Sequence, residues 1–357
     1  MGRHALVFGA SGIIGWATVN ALLKDYPTPD AFDRVTALTN RPLSIEDSRW
    51  PISEKLAVVS GLDLLAGEQD TLEETIRQRV PEVETVSHVY FFAYMFDADP
   101  HMEIRLNVDL LRRAVTAIEN TSARLEFVVL PTGVKTYGVH LIDKFPFKDQ
   151  LPLKESLPPI PEPFASKLFY YPQVEFLQDR SKDKPWTYCD IIPDIVVGFV
   201  PNNNAYCLAQ WLALYLSLYR EINGAGSEVV NDSNQDIIAR FAIHASLHPE
   251  TTARQRYNIA DHAQWSSWSV KWPIICDYFG LRGVAPENGS GPDPSGRVGN
   301  DRSLTVVPIF LMGQFDFDRQ IELTKMHETW GDKKEEADAK GTWHTAFDRF
   351  RAARIIP

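Results

Sequence analysis

Through its first two hundred residues the chain alternates short apolar runs with longer segments whose apolar positions recur every three or four residues. Ala5-Leu6-Val7-Phe8, Val35-Thr36-Ala37-Leu38, Leu56-Ala57-Val58-Val59, Ser87–Phe92, Leu125–Leu130 and Trp186–Ile192 have the length and the β-branched or aromatic content of buried strands. Ile13–Leu23 and Met102–Ile118 have helical spacing with one apolar face, the latter carrying Asn107, and Thr71–Val80 also reads as a helix. The Pro- and Asp-rich segment 25–33 and the Pro-rich segment 145–163 read as loops. Strands alternating with helices in this way predict an α/β fold, a Rossmann-type doubly wound parallel sheet over residues 1–200.

Beyond residue 200 the pattern changes. Leu208–Tyr219, Ile237–Ser246, Ser266–Tyr278, Phe315–Trp330 and Thr342–Arg354 read as helices. Glu228-Val229-Val230 and Tyr257-Asn258-Ile259 read as short strands, the Gly-, Pro-, Asn- and Asp-rich segment 285–303 as a flexible loop, and the charge run Lys333–Lys340 as a solvated face. Residues 201–357 are therefore expected to form a smaller, mostly helical lobe that covers a cleft and shapes a substrate pocket, with the chain free to return to the sheet.

The first strand runs into Gly9-Ala10-Ser11-Gly12-Ile13-Ile14-Gly15, a glycine-punctuated turn that opens a helix. Gly9 permits a tight turn, Gly12 close approach of backbone to a pyrophosphate, and Gly15 close packing of helix on sheet, while the helix N-terminus offers N–H groups to phosphate. The second strand ends at Thr39-Asn40-Arg41-Pro42. An acidic residue there would take the ribose 2′-hydroxyl of NAD, whereas Arg41 suits a 2′-phosphate, so NADPH is the expected cofactor. After the third strand, Asp63, with Leu64 beside it, either accepts a hydrogen bond from adenine or caps its own turn. The fifth strand delivers Pro131-Thr132-Gly133-Val134-Lys135 to the carboxyl edge of the sheet, which sets Thr132 and Lys135 near a nicotinamide.

Composition narrows the partners. The 36 basic and 47 acidic residues leave a net charge of −11, with no basic cluster, which argues against nucleic acid or an anionic membrane. Cys189, Cys207 and Cys276 are far apart and form no CxxC, so neither a metal site nor a disulfide framework is expected. The first residues run straight into a strand and no apolar run reaches about 18 residues, so neither a signal peptide nor a transmembrane span is expected. A cytoplasmic protein that acts on a small molecule, as a monomer or a homodimer, is the expectation.

A dinucleotide site narrows the reaction to hydride transfer, or to redox-neutral chemistry that uses transient hydride transfer. Short-chain dehydrogenases commonly carry Tyr and Lys four residues apart, and no tyrosine here has Lys at that spacing. The chain is then either a non-catalytic redox sensor or an enzyme with the two groups arranged otherwise. Leu130-Pro131-Thr132-Gly133-Val134-Lys135-Thr136-Tyr137, Leu168-Phe169-Tyr170-Tyr171, Pro193 with Gly198-Phe199, and the terminal Ile355-Ile356-Pro357 resemble the progesterone 5β-reductase/iridoid synthase family of atypical short-chain dehydrogenases. The resemblance runs from the glycine turn to the last proline. It implies Lys135 and Tyr170 as catalytic residues, with Tyr171 a competitor for the second role. It also implies Arg41, preceded by Asn40, at the 2′-phosphate, Pro193 to Val196 as backbone that positions nicotinamide, and Tyr94 in the substrate pocket.

The implied reaction is NADPH-dependent reduction of the C=C bond of a small apolar α,β-unsaturated carbonyl by 1,4-hydride addition, in specialised metabolism. A 1,2-carbonyl reductase would use the same parts. Tyr94, Met95, Phe145, Phe147 and Trp211 add apolar surface suited to a terpenoid-, steroid- or polyketide-like molecule. The sequence departs from the family after the lysine, where Gly138-Val139-His140-Leu141 stands for Gly-Pro-Phe, at Leu168 in place of an asparagine, and at Glu175, the remainder of an acidic pair.

Overall fold

The computed structural model describes residues 2–202, 204, 207–218, 229–283 and 317–357. The chain runs β1 (His4–Phe8), α1 (Ile13–Leu23), β2 (Arg34–Thr39), the single turn α2 (Ile45–Ser48), β3 (Leu56–Ser60), α3 (Gln69–Arg79), β4 (His88–Phe91), α4 (Pro100–Thr121) and β5 (Phe127–Pro131). There follow α5 (Tyr170–Arg180), β6 (Thr187–Pro193), β7 (Ile195–Val197), α6 (Leu208–Leu218), β8 (Val229–Val230), β9 (Asp232–Asn234), α7 (Gln235–Leu247), α8 (Pro249–Thr252), β10 (Gln255–Ile259), β11 (Ser266–Ser267) and α9 (Trp268–Tyr278). Helices Thr324–Trp330 and Ala339–Ala352 close the chain.

Seven strands form one parallel sheet in the order β10-β6-β5-β4-β1-β2-β3. The strand order reverses between β1 and β4, and ligands of such sheets bind outside the carboxyl ends of the strands at that point. Alternation within the strands builds two cores. Ala5 and Val7 of β1 face α1 and α7, while Leu6 and Phe8 face α3 and α4. Helix α1 is apolar on nearly every side, not on one face only, because it packs on β1 and β2 with one side and on the neighbouring α7 with another. Helix α4 starts sharply: Asp99 caps it by accepting the His101 N–H at 3.0 Å, and Pro100 fills the first turn.

The sheet does not end near residue 200. Tyr257-Asn258-Ile259 belongs to β10, the seventh strand, in register with Ile191-Ile192-Pro193 of β6. Helix α7 packs on α1 and against β5 and β6. A third core, with Val134, Tyr137, Phe145, Phe147, Leu168, Ile192 and Ala260, sits over the carboxyl edge.

A buried ionic cluster ties β9, α9 and the last helix together within the second half. Lys271 of α9 donates to Asp232 of β9 at 2.8 Å, and the Trp343 indole donates to the other Asp232 oxygen at 2.9 Å. Lys271 is 1% exposed and Asp232 5%. Beside them, Thr342 donates to Asp261 at 2.8 Å. Burial, and then the Asp232 charge, push the Asp261 carboxyl well above the usual carboxylate range.

The helix expected over Phe315–Trp330 is shorter. Phe315 lies outside the described residues, as does the 285–303 loop, and the helix begins at Thr324. The backbone before it is drawn into a bridge: Leu153 donates to the Gln320 carbonyl at 2.7 Å and Glu322 to the Leu153 carbonyl at 2.9 Å. Those bonds replace helical ones. Among the described residues no helix is long and apolar enough to cross a membrane.

Candidate active site

The glycine turn sits at the switch between β1 and β4. Gly9 has φ +71°, and a Cβ there would lie 2.6 Å from the Phe92 backbone. A Cβ on Gly15 would lie 2.3 Å from the Gly9 carbonyl oxygen, so the turn folds tightly onto α1 only with glycine at both positions. At Gly12 the nearest atom to a built Cβ is the Gly9 oxygen at 3.3 Å, which leaves the outer side of the turn open.

No side chain caps α1, and no acidic residue stands in its first turn. Ser11, Gly12, Ile13 and Ile14 therefore present a helix start able to receive an anionic group. Arg41 and Asn40 are exposed at the end of β2, and no described carboxylate pairs with the Arg41 guanidinium. The Thr39 hydroxyl donates to the Arg41 carbonyl at 2.7 Å and shapes this turn. These residues fit a dinucleotide with a charged ribose edge. Asp63 accepts the Leu65 N–H at 2.9 Å, so its carboxylate caps the turn, and Leu64 is buried in the core.

At the end of β5, Thr132 is tied by its N–H to the Ile191 carbonyl at 2.8 Å. Its hydroxyl lies 3.5 Å from Asp190, which is buried and paired with Arg256 of β10 at 3.1 Å. The chain then makes a single 3-10 turn, Val134–Tyr137, that carries Lys135 on its exposed side. His140 follows in the next turn. Burial and the Lys135 charge hold its imidazole down at about 4, so it is neutral near pH 7.

Helix α5 opens with Tyr170. A Cβ built on Gly133 would stand 3.1 Å from the Tyr170 hydroxyl and 3.6 Å from the Pro193 carbonyl oxygen. Gly133 thus leaves room for the phenol beside the end of β6, two residues from Lys135. No hydrogen bond joins the Tyr170 hydroxyl to any described residue. Burial, and then the charge of Glu103, push this phenol upward, so it stays protonated as a donor. Tyr171 differs: its hydroxyl donates to the Thr136 carbonyl at 2.8 Å and accepts the Ile160 N–H at 3.1 Å.

Pro193 ends β6, and Val196 lies in β7, which pairs with β9. Asp194 between them donates its N–H to Ser233 at 2.9 Å, and its carboxylate lies 3.3 Å from buried Arg319. This tether had no sequence signal, because an Asp in a turn and an Arg 125 positions later read as surface residues.

Tyr94 and Met95 follow β4 and are partly exposed. The Tyr94 hydroxyl donates to Glu103 at 2.5 Å, and its ring stacks on Phe169 at 5.7 Å. Buried Asn107 clasps the Met95 backbone, accepting its N–H at 3.0 Å and donating to its carbonyl at 2.7 Å. Phe145 is buried against Phe317 in the third core. Trp211 lies on α6, which packs against β7 and the last helix. The structure thus gathers the glycine turn, Thr132, Lys135, Tyr170 and Pro193 at one edge of the sheet.

A family model described as a PRISE-like Rossmann-fold domain matches residues 5–295 and 294–357. The short chain dehydrogenase ausT of Aspergillus calidoustus is 36% identical over 297 residues, covering 78% of this chain and 72% of that protein. The short chain dehydrogenase sirQ of Leptosphaeria maculans is 30% identical over 389 residues, covering 99% and 97%. The 3-oxo-Delta(4,5)-steroid 5-beta-reductase of Arabidopsis thaliana is more distant, 23% identical over 298 residues, covering 80% and 71%. Among solved structures, the UDP-glucose 4-epimerase from Brucella ovis in complex with NAD has a TM-score of 0.67 at 17% identity, covers 98% of each chain, and shares the fold.

Proposed function

The chain belongs to the PRISE-like Rossmann-fold family, and we propose on that premise that it is an NADPH-dependent reductase of the C=C bond of a small apolar α,β-unsaturated carbonyl. The observation that carries this reading is the Tyr170 hydroxyl, protonated, without a described partner, and set over Gly133 two residues from Lys135. The distant likeness to a steroid 5-beta-reductase supports the choice of bond.

The glycine turn and α1 would hold the cofactor pyrophosphate, and Arg41 its 2′-phosphate. When bound, NADPH supplies a hydride for the β-carbon of an enone or enal. Addition there leaves negative charge on the carbonyl oxygen. The Tyr170 hydroxyl donates a hydrogen bond to that oxygen as the charge develops, and Lys135 holds positive charge nearby. A proton from water, added at the α-carbon, then completes the saturated carbonyl. Tyr94 and Met95 supply apolar surface for the substrate body.

Incubation with NADPH and a panel of enones and enals, with products identified, tests the reading. Saturated carbonyl products support it. Allylic alcohols would instead make the chain a 1,2-carbonyl reductase, and tight NADPH binding with no turnover of any substrate would make it a redox sensor.

A further inference from the structure

Glu103 lies on the first turn of α4, outside every motif singled out in the sequence. Its carboxylate accepts the Tyr94 hydroxyl at 2.5 Å. The Tyr94 ring lies nearly parallel to Phe169, at 5.7 Å and 25°. Phe169 in turn meets the Tyr170 ring edge to face, at 4.7 Å and 77°. Three aromatic rings therefore run without a break from the Glu103 carboxylate to the phenol that the proposed chemistry uses.

We infer that Glu103 is a positioning residue: by holding Tyr94 through its hydroxyl, it fixes the Tyr94–Phe169 stack and so the orientation of the Tyr170 ring. This inference rests on the reading of Tyr170 as the hydrogen-bond donor to substrate.

Tyr94 is 43% exposed and lies in the segment between β4 and α4, so a fixed acceptor for its hydroxyl restrains its ring. A hydrogen bond to a carboxylate is stronger than one between neutral groups. One helical turn along α4, Asn107 clasps the Met95 backbone and donates to the Glu103 carbonyl at 2.8 Å. Gln173 of α5 donates to the Asn107 carbonyl at 2.8 Å, which ties α4 to the helix that begins with Tyr170. Glu103 thus acts from a helix already locked to α5. Its negative charge also disfavours the Tyr170 phenolate, which keeps the proton where a donor needs it.

The test uses the full chain with 13C-labelled tyrosine, the Tyr170 ring line being assigned from Tyr170→Phe. Glu103→Ala and Tyr94→Phe should each move or broaden the Tyr170 line. Each should also lower kcat on the order of tenfold, with NADPH affinity unchanged. Glu103→Gln, which keeps an acceptor, should stay within about twofold of wild type, and the double variant should be no worse than either single one. A Tyr170 line that ignores both single substitutions, or losses that simply add, would overturn the inference. If the wild type reduces no enone or enal, the functional reading fails, while the Tyr170 line still decides whether Glu103 positions the ring.

Discussion

Tyr171 spends its hydroxyl on the Thr136 carbonyl at 2.8 Å, whereas Tyr170, one residue earlier, hydrogen-bonds no described residue. Adjacent tyrosines that compete in the sequence are thereby separated in role. Tyr170→Phe should lower turnover by on the order of 10²–10³ with the fold intact. Tyr171→Phe breaks a partly buried bond that holds the 3-10 turn, and should cost about 1 kcal/mol of stability. Steady-state kinetics beside denaturant unfolding of the two variants check the contrast.

Arg41 is the cation nearest the end of β2 in sequence, and its guanidinium is exposed. Arg41→Ala should raise the Kd for NADPH about ten- to a hundredfold, the worth of one charged hydrogen bond, and leave NADH nearly unaffected. Equal losses for both nucleotides, measured by fluorescence titration, would remove Arg41 from the 2′-phosphate.

Lys271 and Asp232 are both buried, so neither charge has water to fall back on. Lys271→Met leaves Asp232 facing Asp261 without its cation. The variant should lose about 3–5 kcal/mol in urea unfolding. A stability close to wild type would mean that the cluster is held by other contacts.

His88 is buried on β4, beneath Phe32 and beside the Ser246 carbonyl. Burial, and then the charge of Arg3, hold its imidazole down at about 3. The unfolded chain therefore takes up a proton that the folded chain refuses between pH 6.5 and about 3. The stabilising effect of the neutral ring is complete above pH 6.5 and is lost as pH falls through that window. Relative to His88→Gln, the wild type should lose about 1.4 kcal/mol per pH unit below that point. Parallel unfolding curves for the two proteins against pH would contradict it.

The strand–helix alternation through β6 was legible because each element carries its own period and length. The glycine turn was legible for the same local reason, and the structure adds the cause, the approach of Phe92 and of the Gly9 carbonyl. The second half was harder to read. Tyr257-Asn258-Ile259 shows as a strand, but nothing in those residues says that it pairs beside β6. Asp232-Ser233-Asn234 is too polar to read as buried strand, yet all three are buried, because Lys271, Trp343, Ile259 and Thr342 satisfy their side chains. The segment before Thr324 has helical composition, and a distant partner, Leu153, overrides it. The sequence of the Asp63 turn is compatible with adenine or with a turn cap, and the bond from the Leu65 N–H shows the cap.

The central claim is hydride delivery to the β-carbon of a conjugated carbonyl, with Tyr170 on the oxygen. NADPH deuterated at the transferred position of the nicotinamide, turned over with one enone, tests it most directly. Deuterium on the β-carbon of a saturated ketone is the expected result. Deuterium on the carbinol carbon of an allylic alcohol would contradict the claim.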